Sequence, residues 1–346
     1  MQHLVPWLRL QLTPGLGRVG MIRLIERFKT PEQAIDNAGD WHLAGLRNGL
    51  ARAIPASTDS NVDNACERLN EMQGRLLTMW DADYPHRLRQ ISDPPALLYC
   101  CGELPAEPAL AIVGTRHPTE FGRMFTKQLA GEIAATGIVI ASGMARGIDS
   151  AAHRGALDEG GKTIAVLGCG IDRWYPASNT RLGEEILEAG GAIVSEYAPG
   201  TPPAKYRFPL RNRIVSGMSA AVIVTEAAVR SGALITARVA LEQGREVLAL
   251  PGDLDRATSE GTNRLIADGA VPVTSVEDAV EAVGRILGMA VETSPEHPLS
   301  DLLGPEAALD DLPARLGVSA PEALALVGRW ELEGRVRMEG GRVVPT

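Results

Sequence analysis

The sequence predicts a doubly wound, mostly parallel α/β sheet with a smaller module on each side, and three observations carry that prediction. Six short apolar runs lie at residues 111–113, 138–141, 163–167, 192–194, 221–224 and 247–250, with helical patterns filling the gaps. Repeated β-α units build a parallel sheet, and a doubly wound sheet holds its ligand at the carboxyl ends of its strands. The runs end in loops of Gly, Ser, Thr and Arg, among them Gly114-Thr115-Arg116, Ser142-Gly143-Met144-Ala145-Arg146-Gly147 and Gly168-Cys169-Gly170. A length of 346 residues suits one large α/β domain with appendages rather than one small core.

Residues 1–70 read as short helices forming an N-terminal domain. There Leu12-Thr13-Pro14-Gly15-Leu16-Gly17, ahead of the apolar-periodic stretch 19–28, reads as a hairpin turn feeding a helix. Such a turn can grip a phosphate or simply pack. Residues 71–290 form the sheet domain, opened by a β-rich lead-in (76–79, 93–99) whose prolines mark turns or edge strands. Residues 291–298 lose all periodicity at Thr293-Ser294-Pro295-Glu296-His297-Pro298 and read as a linker.

Residues 299–346 carry three helical patterns (299–303, 309–316, 320–332) and then a hairpin built on Val336, Gly340-Gly341 and Val343-Val344. Three helices and a hairpin make a winged helix-turn-helix, with Gly317 at its turn. Glu322, Glu331 and Glu333 outweigh Arg329 on the last helix, which predicts a protein-contact or vestigial module rather than base readout.

Composition excludes several functions. A formal net charge of −9 argues against coating duplex DNA through overall basicity. No apolar run is long enough to span a bilayer and no basic-then-apolar leader opens the chain, so a cytoplasmic protein without membrane association is expected. Cys66, Cys100, Cys101 and Cys169 form no C-x-x-C pair and have no histidine at zinc-ligand spacing, which points to buried reduced thiols and no metal. The chain has no G-x-G-x-x-G with an acidic partner and no G-x-x-x-x-G-K-[ST], so neither a dinucleotide nor a triphosphate cofactor is predicted. His153, on the helix after the second run, reads as a hydrogen-bonded structural residue rather than a base.

What remains is an anion-attracting rim. Gly114, Thr115 and Arg116 follow the first run, and Ser142, Gly143, Arg146 and Asp149 follow the second. Ser231, Gly232 and Thr236 open the helix after the fifth. Glycine lets a backbone approach phosphate, while helix N-termini and Arg supply donors. Asp149 can cap its helix or orient Arg146. The stretch Lys205-Tyr206-Arg207-Phe208-Pro209-Leu210-Arg211-Asn212-Arg213 holds four basic residues and no acidic one. Interleaved cations and aromatics suit single-strand binding, and the same composition suits a solvated loop. From the rim alone a mononucleotide fits as well as a strand.

Seven motifs in order carry a family resemblance. They are Ile112-Val113-Gly114-Thr115-Arg116; Ser142-Gly143-Met144-Ala145-Arg146-Gly147-Ile148-Asp149 with Ala152-His153; Tyr175-Pro176-Ala177-Ser178-Asn179; Ser195-Glu196-Tyr197; Phe208-Pro209 with Arg211-Asn212-Arg213; Ser231-Gly232-Ala233-Leu234-Ile235-Thr236; and Leu250-Pro251-Gly252. The chain resembles the bacterial DNA processing protein A (DprA/Smf) family, whose Rossmann-like domain is flanked by SAM-like helical and winged-helix modules. The resemblance implies a binding protein rather than an enzyme, one that protects incoming single-stranded DNA and helps load RecA in natural transformation, as a homodimer; the acidic balance outside the groove separately predicts that duplex DNA is bound weakly. It implies phosphate contacts from Arg116 and Lys205, base stacking by Phe208, and a groove lined by Arg211, Asn212 and Arg213. Gly114, Thr115, Ser142, Gly143 and Arg146 would shape the pocket between them. Ala177 stands where many relatives carry lysine, so that loop contributes less unless Arg173 or Arg181 faces the groove. The alternative is a nucleotide-binding enzyme similar to phosphoribohydrolases, whose loop carries a catalytic glutamate near the place where this chain has Arg238.

Overall fold

In the computed structural model, which describes residues 3–289, 306–316, 319–332 and 336–345, all six apolar runs are strands. The chain divides into two compact units, Met1–Ala290 and Val291–Thr346.

The first unit begins with α1 (Leu4–Gln11), α2 (Arg18–Phe28), α3 (Pro31–Asp36) and α4 (Ser60–Glu71). The lead-in follows as β1 (Arg75–Thr78), α5 (His86–Arg89) and β2 (Leu97–Gly102). Strict alternation comes next: β3 (Ala109–Val113), α6 (Glu120–Ala135), β4 (Val139–Ser142), α7 (Ile148–Asp158), β5 (Thr163–Leu167), α8 (Thr180–Glu188), β6 (Ala192–Ser195). It continues with α9 (Arg207–Met218), β7 (Ser219–Val224), α10 (Gly232–Glu242), β8 (Glu246–Ala249), α11 (Ala257–Ala267), β9 (Val271–Pro272) and α12 (Val276–Leu287).

These nine strands make one sheet in the order β1-β2-β6-β5-β4-β3-β7-β8-β9. Every pair from β6 to β9 is parallel, and the lead-in adds two antiparallel strands at one edge, as the prolines around it suggested. Helices cover both faces, so the central strands are buried throughout and read as unbroken apolar runs. Alternation along each strand divides the core. Ala111, Val113, Val139, Val166 and Val222 pack on one face, and Ala165, Leu167, Ile193 and Tyr99 on the other.

The N-terminal helices, expected as a separate domain, bury their apolar stripes on that second face. Leu4 and Leu8 of α1 and Val62, Ala65 and Leu69 of α4 pack with Tyr99, Cys101 and Ile193. The hairpin turn expected at Thr13 to Gly17 uses Gly15 at φ +83° and buries Leu16 against Met21, Leu24 and Trp41. All four cysteines are buried and free, and burial pushes the Cys100 thiol up to about 11. His153 is fully buried with its Nδ1 2.6 Å from the Thr163 hydroxyl, and burial pulls its pKa down to about 3.

The second unit contains β10 (Ala307–Ala308), α13 (Leu312–Leu316), α14 (Ala320–Leu332), β11 (Val336–Glu339) and β12 (Arg342–Pro345), with strand order β10-β12-β11. Leu312, Ala323, Val327, Val336 and Val343 form its core. Gly340 (φ +57°) and Gly341 (φ +81°) make the two-residue turn between β11 and β12, where two successive positive φ values demand glycine. The linker at 291–298, the helical pattern at 299–303, Gly317 and Glu333 lie outside the described residues.

Candidate functional site

The connection leaving β3 leads to β4 on one side, while β7 pairs with β3 on the other, so the loops after β3 and β7 diverge. That switch point is where a doubly wound sheet opens a crevice. A cavity of about 590 Å³ lies there, lined by Val113 to His117 after β3, Gly143 and Ala145 after β4, Lys205, Phe208, Arg211 and Asn212 around the start of α9, and Ala228 and Arg230 to Ala233 after β7.

Its charge is lopsided. Arg116, Lys205 and Arg230 line it, are exposed, and have no carboxylate partner among the described residues. Asp149 is the only carboxylate among the described lining residues, and it is buried. Burial pushes the Asp149 carboxyl up, while the Arg211 guanidinium and the backbone N–H groups of Ala145 and Gly143 pull it back down. Arg211 is itself buried, with its Nη1 donating to the Val166 carbonyl and its Nε left without a partner. Asp149 and Arg211 lie buried at the floor, and the exposed cations Arg116, Lys205 and Arg230 stand at the mouth.

Two helix N-termini expected to offer amides to a ligand are filled from within. Glu226, just beyond β7, accepts from the Thr119 backbone N–H at 2.9 Å and from the Thr119 hydroxyl at the start of α6. Asp149, in the first turn of α7, accepts from the Ala145 N–H at 3.3 Å and faces Arg211 rather than Arg146. A carboxylate at a helix N-terminus satisfies the same dipole that an anionic ligand would. At α10 the approach is open: the Ser231 hydroxyl caps it by accepting from the Ala233 N–H, and a Cβ on Gly232 would meet nothing within 4 Å.

The other rim glycines admit protein rather than ligand. A Cβ on Gly143 would lie 2.0 Å from Arg211 Nη1, and one on Gly114 2.6 Å from Ile148. One on Gly168 would lie 2.8 Å from the Phe208 ring. Gly143 and Gly168 are thus the clearances that seat Arg211 and Phe208. Phe208 is half-buried, with the Arg116 guanidinium 5.6 Å from its centroid and the Tyr175 ring at 5.6 Å and 34°. One cation and two aromatic rings gather at the mouth.

The structure brings together Gly114, Thr115, Arg116, Gly143, Lys205, Phe208, Arg211, Asn212, Ser231, Gly232 and Thr236. Three expected residues lie elsewhere. Ser142 is buried and donates to the Ile112 carbonyl at 2.7 Å. Arg146 points outward, its Nε 3.4 Å from the Ser178 hydroxyl. Arg213 pairs with Glu196 at 2.6 Å and Asp93 at 3.1 Å on the opposite side of α9. Residues two apart on a helix do not share a face, so Arg211 and Arg213 cannot line one groove. Neither residue proposed to compensate for Ala177 lines the cavity: Arg173 pairs with Asp172 and Arg181 with Glu185. The sequence reading missed Tyr175, Arg230 and His117, all of which line the cavity. Tyr175 stood in a quoted motif, behind the basic-aromatic run Arg173-Trp174, and Arg230 stood beside Ser231. Arg238 is exposed and outside the lining, and no group of three or more His, Cys, Asp or Glu side chains among the described residues could hold a metal.

Comparison with known proteins agrees with this geometry. Residues 75–284 match the profile of the family described as DNA recombination-mediator protein A. Protein Smf of Escherichia coli is 38% identical over 324 residues, covering 93% of this chain and 83% of that protein. DNA processing protein DprA of Streptococcus pneumoniae is 44% identical over 268 residues, covering 77% and 93%. Among solved structures, DNA processing protein A of S. pneumoniae superposes with a TM-score of 0.69 at 36% identity, covering 80% of this chain and 96% of its own. The Helicobacter pylori protein, described for its single-stranded DNA binding mode, gives 0.56 at 34%, covering 62% and 96%. With its switch-point cavity, its seven ordered motifs and these matches over most of its length, the chain belongs to the DNA recombination-mediator protein A (DprA/Smf) family.

Proposed function

We propose that this protein binds single-stranded DNA in the switch-point cavity, protects the strand, and delivers it to the RecA recombinase in natural transformation. The observation that carries the reading is the half-buried Phe208 ring beside Arg116 and Tyr175, with the unpaired cations Lys205 and Arg230 on the same rim. Aromatic faces stack on any base and cations track phosphates, which gives affinity without sequence preference. Further support comes from the family's description as a recombination mediator and from the H. pylori relative's single-stranded DNA binding mode. Duplex DNA binds weakly in this account, because its bases are stacked inside and cannot reach Phe208.

The contacts fall to the individual residues as follows. Arg116, Lys205 and Arg230 meet phosphates, Phe208 stacks a base, and Asn212, Ser231, Gly232 and Thr236 supply short-range donors. Arg211 and Asp149 hold the floor. The protein acts in the cytoplasm as a homodimer, whose two linked grooves raise affinity for long strands by multivalency. Among the described residues no helix is long and apolar enough to cross a membrane. A binding protein is favoured over a hydrolase because Arg238 takes the place of the catalytic glutamate, and Asp149 is engaged by Arg211 and backbone amides.

The test is displacement of a fluorescent single-stranded oligonucleotide from the full chain by unlabelled single strand, duplex of equal length, or mononucleotide. Displacement by single strands, with duplex and mononucleotide far weaker, supports the reading. Displacement by the mononucleotide alone returns the cavity to a small-ligand enzyme.

A further inference from the structure

The turn that opens α9 has two sides. Lys205, Phe208 and Asn212 line the switch-point cavity, whereas Tyr206, Arg207 and Leu210 line a second cavity of about 330 Å³ behind it. Tyr197 and the N-terminal residues Gln11 and Arg18 also line the second cavity.

The charges there are already committed, with one exception. Arg18 pairs with Asp93, and Glu196 is neutralised by Arg213. The Arg207 guanidinium has no carboxylate partner among the described residues and instead lies over two rings, 5.2 Å from Tyr197 and 5.3 Å from Tyr206. Tyr206 is 64% exposed, so it covers the guanidinium with one part of its ring and leaves the rest to solvent. An exposed aromatic face beside an unpaired cation is the same pairing that Phe208 and Arg116 make in the first cavity. Tyr206 and Phe208 stand only two positions apart where α9 begins, so the two pairs flank one turn of backbone.

We propose that the second cavity is a further nucleotide subsite, in which Tyr206 stacks a base of the same single strand and Arg207 meets an adjoining phosphate. The proposal rests on the reading that the first cavity holds single-stranded DNA. It extends the binding track over the start of α9 towards α1 and α2, giving the N-terminal helices a place along the strand.

The experiment compares oligothymidylates of about 4 and about 16 nucleotides, the span of site sizes for compact single-strand binders, on the full chain. Tyr206→Ala weakens the long oligonucleotide roughly 5- to 150-fold, the loss of one stacked base, and leaves the short one unchanged. Tyr206→Phe restores the long-strand affinity, and Arg207→Gln lowers it with a shallower salt dependence. An iodouracil placed away from the base that crosslinks to Phe208 crosslinks to Tyr206 in the long oligonucleotide only. If Arg116→Ala weakens both lengths while Tyr206→Ala weakens neither, the second subsite is overturned and the first stands; the cavity then suits a peptide. If Arg116→Ala also changes neither, both readings fall together.

Discussion

The Arg116 guanidinium lies over the Phe208 ring, 5.6 Å from its centroid, although 92 positions separate the two residues in the chain and only the meeting of the β3 loop with α9 joins them. The pair has a cation and an aromatic face at one point, and the Tyr175 ring lies beside it, 5.6 Å from Phe208.

Replacing Phe208 by Ala removes the stacking face. Single-stranded DNA affinity should fall by about 1–3 kcal/mol at any sequence, measured by fluorescence anisotropy. A wild-type affinity would assign Phe208 to packing alone.

The two glycines Gly143 and Gly232 separate folding from binding. Gly143→Ala forces a methyl into Arg211 and should cost about 1–3 kcal/mol in urea unfolding, as overpacking does. Gly232→Ala meets open space and should leave stability within about 0.5 kcal/mol, while weakening DNA binding if a phosphate approaches α10. Equal stability losses in the two variants would contradict the assignment of Gly143 as a clearance.

Arg213 belongs to an ion network with Glu196, Asp93 and Arg18 rather than to the groove. Arg213→Ala strands the largely buried Glu196 and should destabilise the fold by about 3–5 kcal/mol, with DNA affinity of the folded fraction unchanged. Denaturant titration and binding on the same sample separate the two effects.

The same network sets an acid limit. Burial alone would raise the Asp93 carboxyl, but Arg18 and Arg213 overcome it and hold the folded value below the usual one. A depressed carboxylate stabilises the fold above the unfolded pKa of about 4 and loses that contribution as pH falls through the folded value. His153 acts at higher pH. Its folded pKa is about 3, so below the unfolded value of about 6.5 the unfolded chain takes up a proton that the folded chain refuses. Stability should therefore decline as pH drops from about 6.5 towards about 3, and His153→Gln should flatten that decline by one proton. An identical pH profile in the variant would remove His153 from the account.

The parallel sheet was legible because buried strands between helices leave unbroken apolar runs such as 163–167 and 221–224. The site's location followed from the loops after those runs. Its wiring did not. Composition placed Arg213 beside Arg211, yet helical geometry turns the two apart. Glu226 reaches α6 from a strand more than 100 residues later in the chain, and no local pattern announces a cap supplied across the sheet. The glycines were read as room for phosphate, while Gly114, Gly143 and Gly168 accommodate Ile148, Arg211 and Phe208. The N-terminal helices were read as a domain apart because an amphipathic stripe does not say which surface covers it.

The most direct test of the account is the salt dependence of single-stranded DNA binding, compared between the wild-type chain and the Arg116→Ala, Lys205→Ala double variant. Each phosphate contact contributes about 0.7 to the slope of log affinity against log salt for single strands, so losing both should shallow the slope by about 1.4. A variant that binds with the wild-type slope would show that the strand does not pass through this cavity.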